Sequence, residues 1–204
     1  KLMINQFDNE MVLKPFSMMP GTMAKRKDTA EGEKRVELHL HTTMSNMDAL
    51  TSTADAVKQA AAWGHKAIAI TDHGNMYGVI DFYREAKAQG IHPVIGCEVY
   101  MAPGSRFDKN SDTDKYYHLI LLCENMTGYQ NLCKLVSEAF THGFYGKPRV
   151  DLSLLEKYHE GLIATSACLA GAIPQYLMNE DYASAKEYAL KMASIFGEGN
   201  FFLE

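Results

Sequence analysis

The residues best equipped for chemistry are histidines, and two of them, His39 and His41, stand two positions apart in Val36-Glu37-Leu38-His39-Leu40-His41. The alternation from Val36 to Leu40 predicts a strand, along which residues two apart share a face. An HxH pair so placed offers two ring nitrogens to one metal ion. Thr71-Asp72-His73-Gly74, Cys97-Glu98, His118 and Ser166-Ala167-Cys168 follow, each within or just after a separate apolar, β-rich run. Consecutive strands thus bring His, Glu and Cys to one rim, a set that suits zinc- or manganese-type divalent ions. Asp48, in the loop after the first run, can join them as a carboxylate or simply cap a turn, and its spacing leaves both readings open. So many ligands exceed what one tetrahedral ion uses, which implies two or three metals sharing a bridging carboxylate. Glu98 is the natural bridge. Multinuclear sites of this kind activate water and clamp a phosphoryl oxygen, the chemistry of phosphoester hydrolysis.

The remaining candidates are weaker. His65 and His92 fall at strand starts, and His142 and His159 at helix or loop ends, so all four read as solvated. Cys97 points away from the Glu98 face if its strand is regular, and Cys123 and Cys133 lie in apolar patterns as core. The four cysteines form no CxxC pair, which favours reduced thiols. Arg106 and Lys109, in the polar stretch 103–115, could hold a substrate phosphate or belong to a solvated loop. No GxGxxG, Walker A or GxSxG run is present, and Gly74 to Gly78 reads as a turn.

Strands that deliver ligands to one rim need helices to return the chain. Thr53 to Trp63 is alanine-rich and stops at Gly64; Asn75 is placed to cap a helix reaching Gln89 before Gly90. Thr127 to His142 and Asp181 to Phe196 are further helices. Lys66–Ile70, Pro93–Met101, Tyr117–Cys123, Leu162–Thr165 and the run at Phe201 are strands. Their cores, such as AIAI and LILL, are continuous rather than alternating, which predicts a buried parallel sheet in an α/β fold, either a barrel or a doubly wound sheet.

The 204 residues are 47% hydrophobic and 22% charged, a composition that excludes collagen-like and wholly disordered chains. No stretch approaches the apolar length of a membrane span, and no secretory signal pattern opens the sequence, so a cytoplasmic location without membrane attachment is expected. Residues 1–35 carry seven Lys/Arg against five Asp/Glu and five of the twelve methionines; the remainder stands at thirteen against twenty. That body, at −7, is no generic binder of phosphate backbones. A possible strand from Met11 to Phe16 and a charged stretch from Lys25 to Arg35 mark residues 1–34 as the tail of a preceding domain plus linker.

The motifs EKRVELHLHT, ITDHGNMYG, IGCEVYMAPGSRF, YYHLILL, GYQNLCKLVS, GFYGKPRVD and TSACLAG together resemble the PHP domain, named for polymerase and histidinol phosphatase. The likeness is to the form carried by the alpha subunit of bacterial replicative DNA polymerase III, Gram-positive type, and runs from residue 35 to the end. The resemblance implies that residues 1–34 end an OB fold and that 35–204 form a distorted, seven-stranded parallel β/α barrel lacking its last strand. The exonuclease usually inserted after the third strand in the Gram-positive form has no counterpart here.

The resemblance also implies a site for up to three divalent metals (zinc, manganese or iron). His39 and His41 would bind the first, Glu98 would bridge first and second, His118 and Cys168 would bind the second, and Asp48 and His73 the third, with His41, Glu98 and His73 as catalytic residues. Two further family ligands, an Asp and a His, have no counterpart in the sequence. A polymerase parent would bring DNA, deoxynucleoside triphosphates, a magnesium-dependent polymerase site and other replisome subunits, including a separate proofreading exonuclease. The domain itself would either hydrolyse phosphoesters (proofreading or pyrophosphate removal) or serve as a scaffold. A stand-alone phosphatase of the histidinol-phosphate type is the alternative.

Overall fold

In the computed structural model, most helices begin where a short polar side chain satisfies a free backbone amide. α1 (Thr53–Ala62) starts at Ser52, which accepts from the Asp55 amide at 3.1 Å. α2 (Val79–Gln89) ends at Gly90, whose φ of +72° a glycine adopts without strain, as the sequence predicts. Its start is later than predicted: Asn75 is not the cap, because its Oδ1 accepts from the Tyr77 amide at 3.1 Å within the preceding turn, its Nδ2 donates to the Met44 and His73 carbonyls, and the helix begins only after Gly78. α3 (Met126–Thr141) is capped by Asn125 and α4 (Leu152–Tyr158) by Asp151. α5 (Ala172–Met178) follows Gly171, and α6 (Tyr182–Phe196) is capped by Asp181. Both α4 and α5 span two turns, too short for the apolar periodicity by which longer helices are read.

The structure describes residues 2–4, 11–13, 17, 21, 27–109 and 115–204. The chain divides into two units, Lys1–Ala30 and Glu31–Glu204. In the first, β1 (Leu2–Ile4) pairs antiparallel with β2 (Met11–Leu13), which is the described part of the strand expected from Met11 to Phe16. Residues 14–16 and the start of the predicted linker lie outside the described residues.

In the second unit β3 (Ala67–Ile70), β4 (His92–Met101), β5 (Tyr117–Cys123), β6 (Arg149–Val150), β7 (Leu162–Thr165) and β8 (Phe201–Phe202) form one sheet in the order β3-β4-β5-β7-β8, with β6 beside β4. The predicted all-parallel sheet is corrected. β3 and β6 run parallel to β4, and β8 to β7, but β5 is antiparallel to both β4 and β7. Continuous apolar runs report burial on both faces, which a central antiparallel strand has equally, so the pattern could not give direction. The strand expected from Val36 to Leu40 is reduced to a single bridge, Glu37 with Ile68. The Leu40 amide donates to the Thr71 hydroxyl at 2.8 Å instead of to a carbonyl, which breaks the ladder and leaves a bend at His39.

Side-chain alternation separates the sheet's two faces. Cys97, Val99 and Met101 of β4 and Leu119 and Leu121 of β5 pack outward with Leu132, Leu135, Leu155 and Met192 of the helices, all buried. Each such side chain contributes roughly 1.5–3 kcal/mol by leaving water. Ala69, Ile120, Leu122 and Ala167 form a small apolar layer on the other face. Register then dictates the rest: Glu98 lies opposite Ile120, Tyr100 opposite His118, and Ile120 opposite Thr165, so Glu98, Tyr100, His118 and Thr165 share the inner face. The sheet curls until His39, beside β3, meets Glu204, after β8, with Nδ1 and Oε1 2.8 Å apart, yet no ladder among the described residues closes it.

Candidate metal centre

Glu98 is the hub. Its carboxylate is fully buried on the inner face, with Oε2 2.9 Å from His41 Nε2, 3.0 Å from His73 Nδ1 and 3.4 Å from His39 Nε2. Oε1 lies 2.9 Å from His118 Nδ1 and 3.9 Å from Cys168 Sγ. His73 reaches out through its other nitrogen to Asp48 Oδ2 at 3.1 Å, and His39 and His41 meet through Nε2 at 3.1 Å. Six of the seven residues singled out in the sequence are brought together here, and Cys168 lies at the edge, exposed and 3.8 Å from His118 Nδ1. His65, His92, His142 and His159 are not among them, although His65 and His159 are half-buried rather than solvated.

Each ligand has a local reason for its place. The pairing of β3 with β4 continues past β3: the Glu98 amide donates to the Asp72 carbonyl at 3.1 Å and the Gly74 amide to the Glu98 carbonyl at 2.8 Å, which fixes His73 beside Glu98. Gly74 has φ +61°, and a Cβ there would fall 2.8 Å from the Tyr100 ring and 2.9 Å from Pro148. His118 is the second residue of β5, so in a parallel sheet it would sit at the opposite rim from Glu98. The antiparallel course of β5 is what brings it to the site. Cys168 follows a turn in which Ala167 holds φ +57°.

The charges bear on what the cluster holds. Burial alone would push the Glu98 carboxyl up, but the imidazoles of His118, His39, His41 and His73 set close against it outweigh burial and hold the acid ionised well below the usual range. Hydrogen bonding to Glu98, reinforced by Glu204 and opposed by burial, raises His39 to about 9. Two buried atoms, Glu98 Oε2 and His73 Nδ1, have no aligned hydrogen-bond partner although they lie 3.0 Å apart. Ligand atoms sharing one ion at ~2.0–2.2 Å, with angles of about 90–110°, are about 2.8–3.6 Å apart. The N–O and N–N separations here fall in that interval, so the donor set fits divalent metals. Among the described residues three groups could hold an ion, none of which includes Cys168: His39, His41 and Glu98; His41, Asp48 and His73; and His73, Glu98 and His118. His41 and His73 thus serve two groups each, a less clean division than the family assignment implies.

A cavity of about 480 Å³ is lined by His73, His118 and Asp48 together with Tyr100, Tyr116 and Lys147. Lys147 Nζ stands 5.3 Å from the centre of the Tyr100 ring. Lys147 is the cation among the described lining residues, and sequence reasoning missed it. Arg106, offered as a phosphate ligand, is instead bound to Asp151 at 3.0 Å and to Ser153 at 3.1 Å. Its guanidinium ties the loop after β4 to the cap of α4. Lys109 is exposed and does not line the cavity. Also missed were Ser45, Asp72 and Glu204, which contact ligands from outside. Asp72 stood in the TDHG motif and Ser45 four residues past His41, but nothing in those spacings gives their contacts.

Comparison with known proteins adds an independent line. Residues 37–204 match the PHP domain family model. The DNA polymerase III subunit alpha of Treponema pallidum is 46% identical over 83% of this chain and 15% of its own length. That of Chlamydia pneumoniae is 51% identical over 68% of the chain and 11% of its own length; that of Thermus aquaticus is 41% identical over 84% and 14%. The chain therefore spans about a seventh or less of these relatives.

Proposed function

The chain belongs to the PHP domain family, and from that premise we propose that its Glu98-centred cluster holds divalent metals and hydrolyses phosphoesters. The observation carrying this reading is one buried carboxylate shared by four imidazoles beside an open cavity. His39, His41, Asp48, His73, Glu98, His118 and Cys168 are the proposed ligands, with zinc, manganese or iron as candidates. Bound there, the metals would activate water and neutralise charge on a phosphoryl group. Lys147 holds a substrate phosphate in the cavity. Tyr100 and Tyr116 wall the cavity, and burial raises the Tyr100 hydroxyl's pKa, so that it stays a neutral donor. Asp48, hydrogen-bonded to His73 Nε2, orients that ring.

The parent protein is proposed to be a DNA polymerase III alpha subunit, on the identity to relatives so named. Its polymerase activity on DNA and deoxynucleoside triphosphates and its replisome partners belong to that proposal, as does an OB-fold origin for residues 1–34. A structural role for the metals is the second reading. It is favoured by the −7 charge of the chain after residue 35 and by Lys147 standing without a second cation among the described lining residues. No helix among the described residues is long and apolar enough to cross a membrane.

The deciding experiment assays the purified full-length protein, loaded with manganese, zinc or iron, on a 3′-mismatched primer and on p-nitrophenyl phosphate. Metal-dependent hydrolysis abolished by His41→Ala and by Glu98→Ala is expected. Metal retained without any such hydrolysis would establish the structural role, and less than about one equivalent of metal after chelator-free purification would sink both readings.

A further inference from the structure

Ser45 is 1% exposed, and its hydroxyl has three neighbours at hydrogen-bond distance. They are Asp72 Oδ1 at 2.7 Å, the His73 amide nitrogen at 3.1 Å and His41 Nδ1 at 3.0 Å. A hydroxyl has one hydrogen and two acceptor lone pairs. The ionised Asp72 can only accept, so it takes the hydrogen. The His73 amide can only donate, so it takes one lone pair. What remains facing His41 is a lone pair, and Nδ1 must therefore carry the hydrogen that fills it. In the neutral ring, the form a metal binds, His41 Nε2 is then left bare, 2.9 Å from Glu98 Oε2 and 3.1 Å from His39 Nε2, with its lone pair directed into the cluster.

Asp72 is itself held with little freedom. It is 2% exposed and accepts from the Thr42 amide at 2.6 Å and the Thr42 hydroxyl at 2.8 Å besides Ser45. Those bonds tie the loop after the HxH pair to the end of β3 and aim one carboxylate oxygen at one hydroxyl. Each group in the chain Asp72–Ser45–His41 therefore has its hydrogen-bonding direction set by the group before it.

We propose that Ser45 and Asp72 are positioning residues that lock His41 in its Nδ1–H tautomer and present Nε2 to a metal. The inference rests on the metal-site reading above. A ligating histidine whose other nitrogen is so held keeps its ring orientation and its basicity, and loss of such a partner typically weakens metal binding about 10–100-fold. Thr42 contributes indirectly, by fixing Asp72. None of these three residues is among the seven ligands.

The test has two arms on the full-length protein. In the metal-free wild type, imidazole ¹⁵N shifts followed through a pH titration give the tautomer of neutral His41. Nδ1–H is expected, and Nε2–H would overturn the proposal whatever the variants do. In the second arm, Mn²⁺ and Zn²⁺ affinities are measured by competition with a chelator for wild type and Ser45→Ala, with urea unfolding in chelator as the folding check. Affinity lower by about 10–100-fold in a folded Ser45→Ala is expected. Equal affinity in a folded variant would refute the positioning role; if the variant does not fold, the tautomer decides. Absence of metal binding in the wild type is a different failure, that of the site's proposed function.

Discussion

Glu98→Gln isolates what the buried carboxylate does in the absence of metal. His39 is raised to about 9 from an ordinary 6.5, chiefly by Glu98 and next by Glu204. A group whose folded pKa is raised stabilises the fold fully below its unfolded pKa and loses that contribution as pH rises through the folded value. For His39 the linkage gives about 3 kcal/mol at pH 6, about 2 kcal/mol at pH 7.5 and under about 0.5 kcal/mol at pH 9. These are upper figures, since part of the surroundings is solvent. Glutamine keeps the shape and removes the charge, and its cost as a buried amide does not vary with pH. The level of stability is therefore uninformative and the slope is the readout. Urea unfolding in chelator at these three pH values should show the wild type losing stability toward pH 9. Glu98→Gln should be much flatter, and Glu204→Gln, which removes only the smaller cause, intermediate. A His39 that still titrates near 9 in metal-free Glu98→Gln, or an unchanged slope, would refute the assignment of Glu98 as its counter-charge.

Metal uptake should show the opposite trend with pH, because an ion displaces the His39 proton: affinity for Mn²⁺ should rise about tenfold per pH unit below about pH 9, with proton release measurable by calorimetry in buffers of different ionisation enthalpy. Gly74→Ala puts a Cβ at φ +61° against Tyr100 and Pro148, so a loss of about 1–3 kcal/mol in urea unfolding is expected, with weaker metal binding because His73 moves. Arg106→Met and Lys147→Met should separate stability from substrate binding. The first breaks a buried pair whose side chains are 12% and 5% exposed, and should cost about 3 kcal/mol or more with KM unchanged. The second should raise KM for a phosphoester with little change in unfolding.

How far the sequence carried depends on whether a residue's role is set locally. The TDHG turn and Cys97-Glu98 could be read because each is a short segment whose side-chain direction follows from its own backbone, and register then put Cys97 outside and Glu98 inside; His39 and His41 converge although the strand expected to align them is a single bridge with a bend at His39. Gly90 is local in the same way, whereas the cap expected at Asn75 was not, because that side chain is used in the turn before α2. His118 was a different case. Its expected place rests on a wholly parallel sheet, whereas the sheet is mixed, and the residue reaches Glu98 only because β5 runs the other way. Strand direction is fixed by what lies between strands and by which edges meet, and neither leaves a mark on LILL. The same limit explains Arg106 and Lys147. Both are cations in polar loops, and what separates them is Asp151, 45 residues beyond Arg106, which binds one guanidinium and leaves the cavity to a lysine elsewhere. Ser45 and Asp72 make the point from inside the site: they lie 27 residues apart, and only their shared contact turns a serine and an aspartate into a device that sets a histidine's proton. Ligands are legible because metals demand particular residue types, whereas the groups that aim them can be any donor or acceptor that the fold brings within 3 Å.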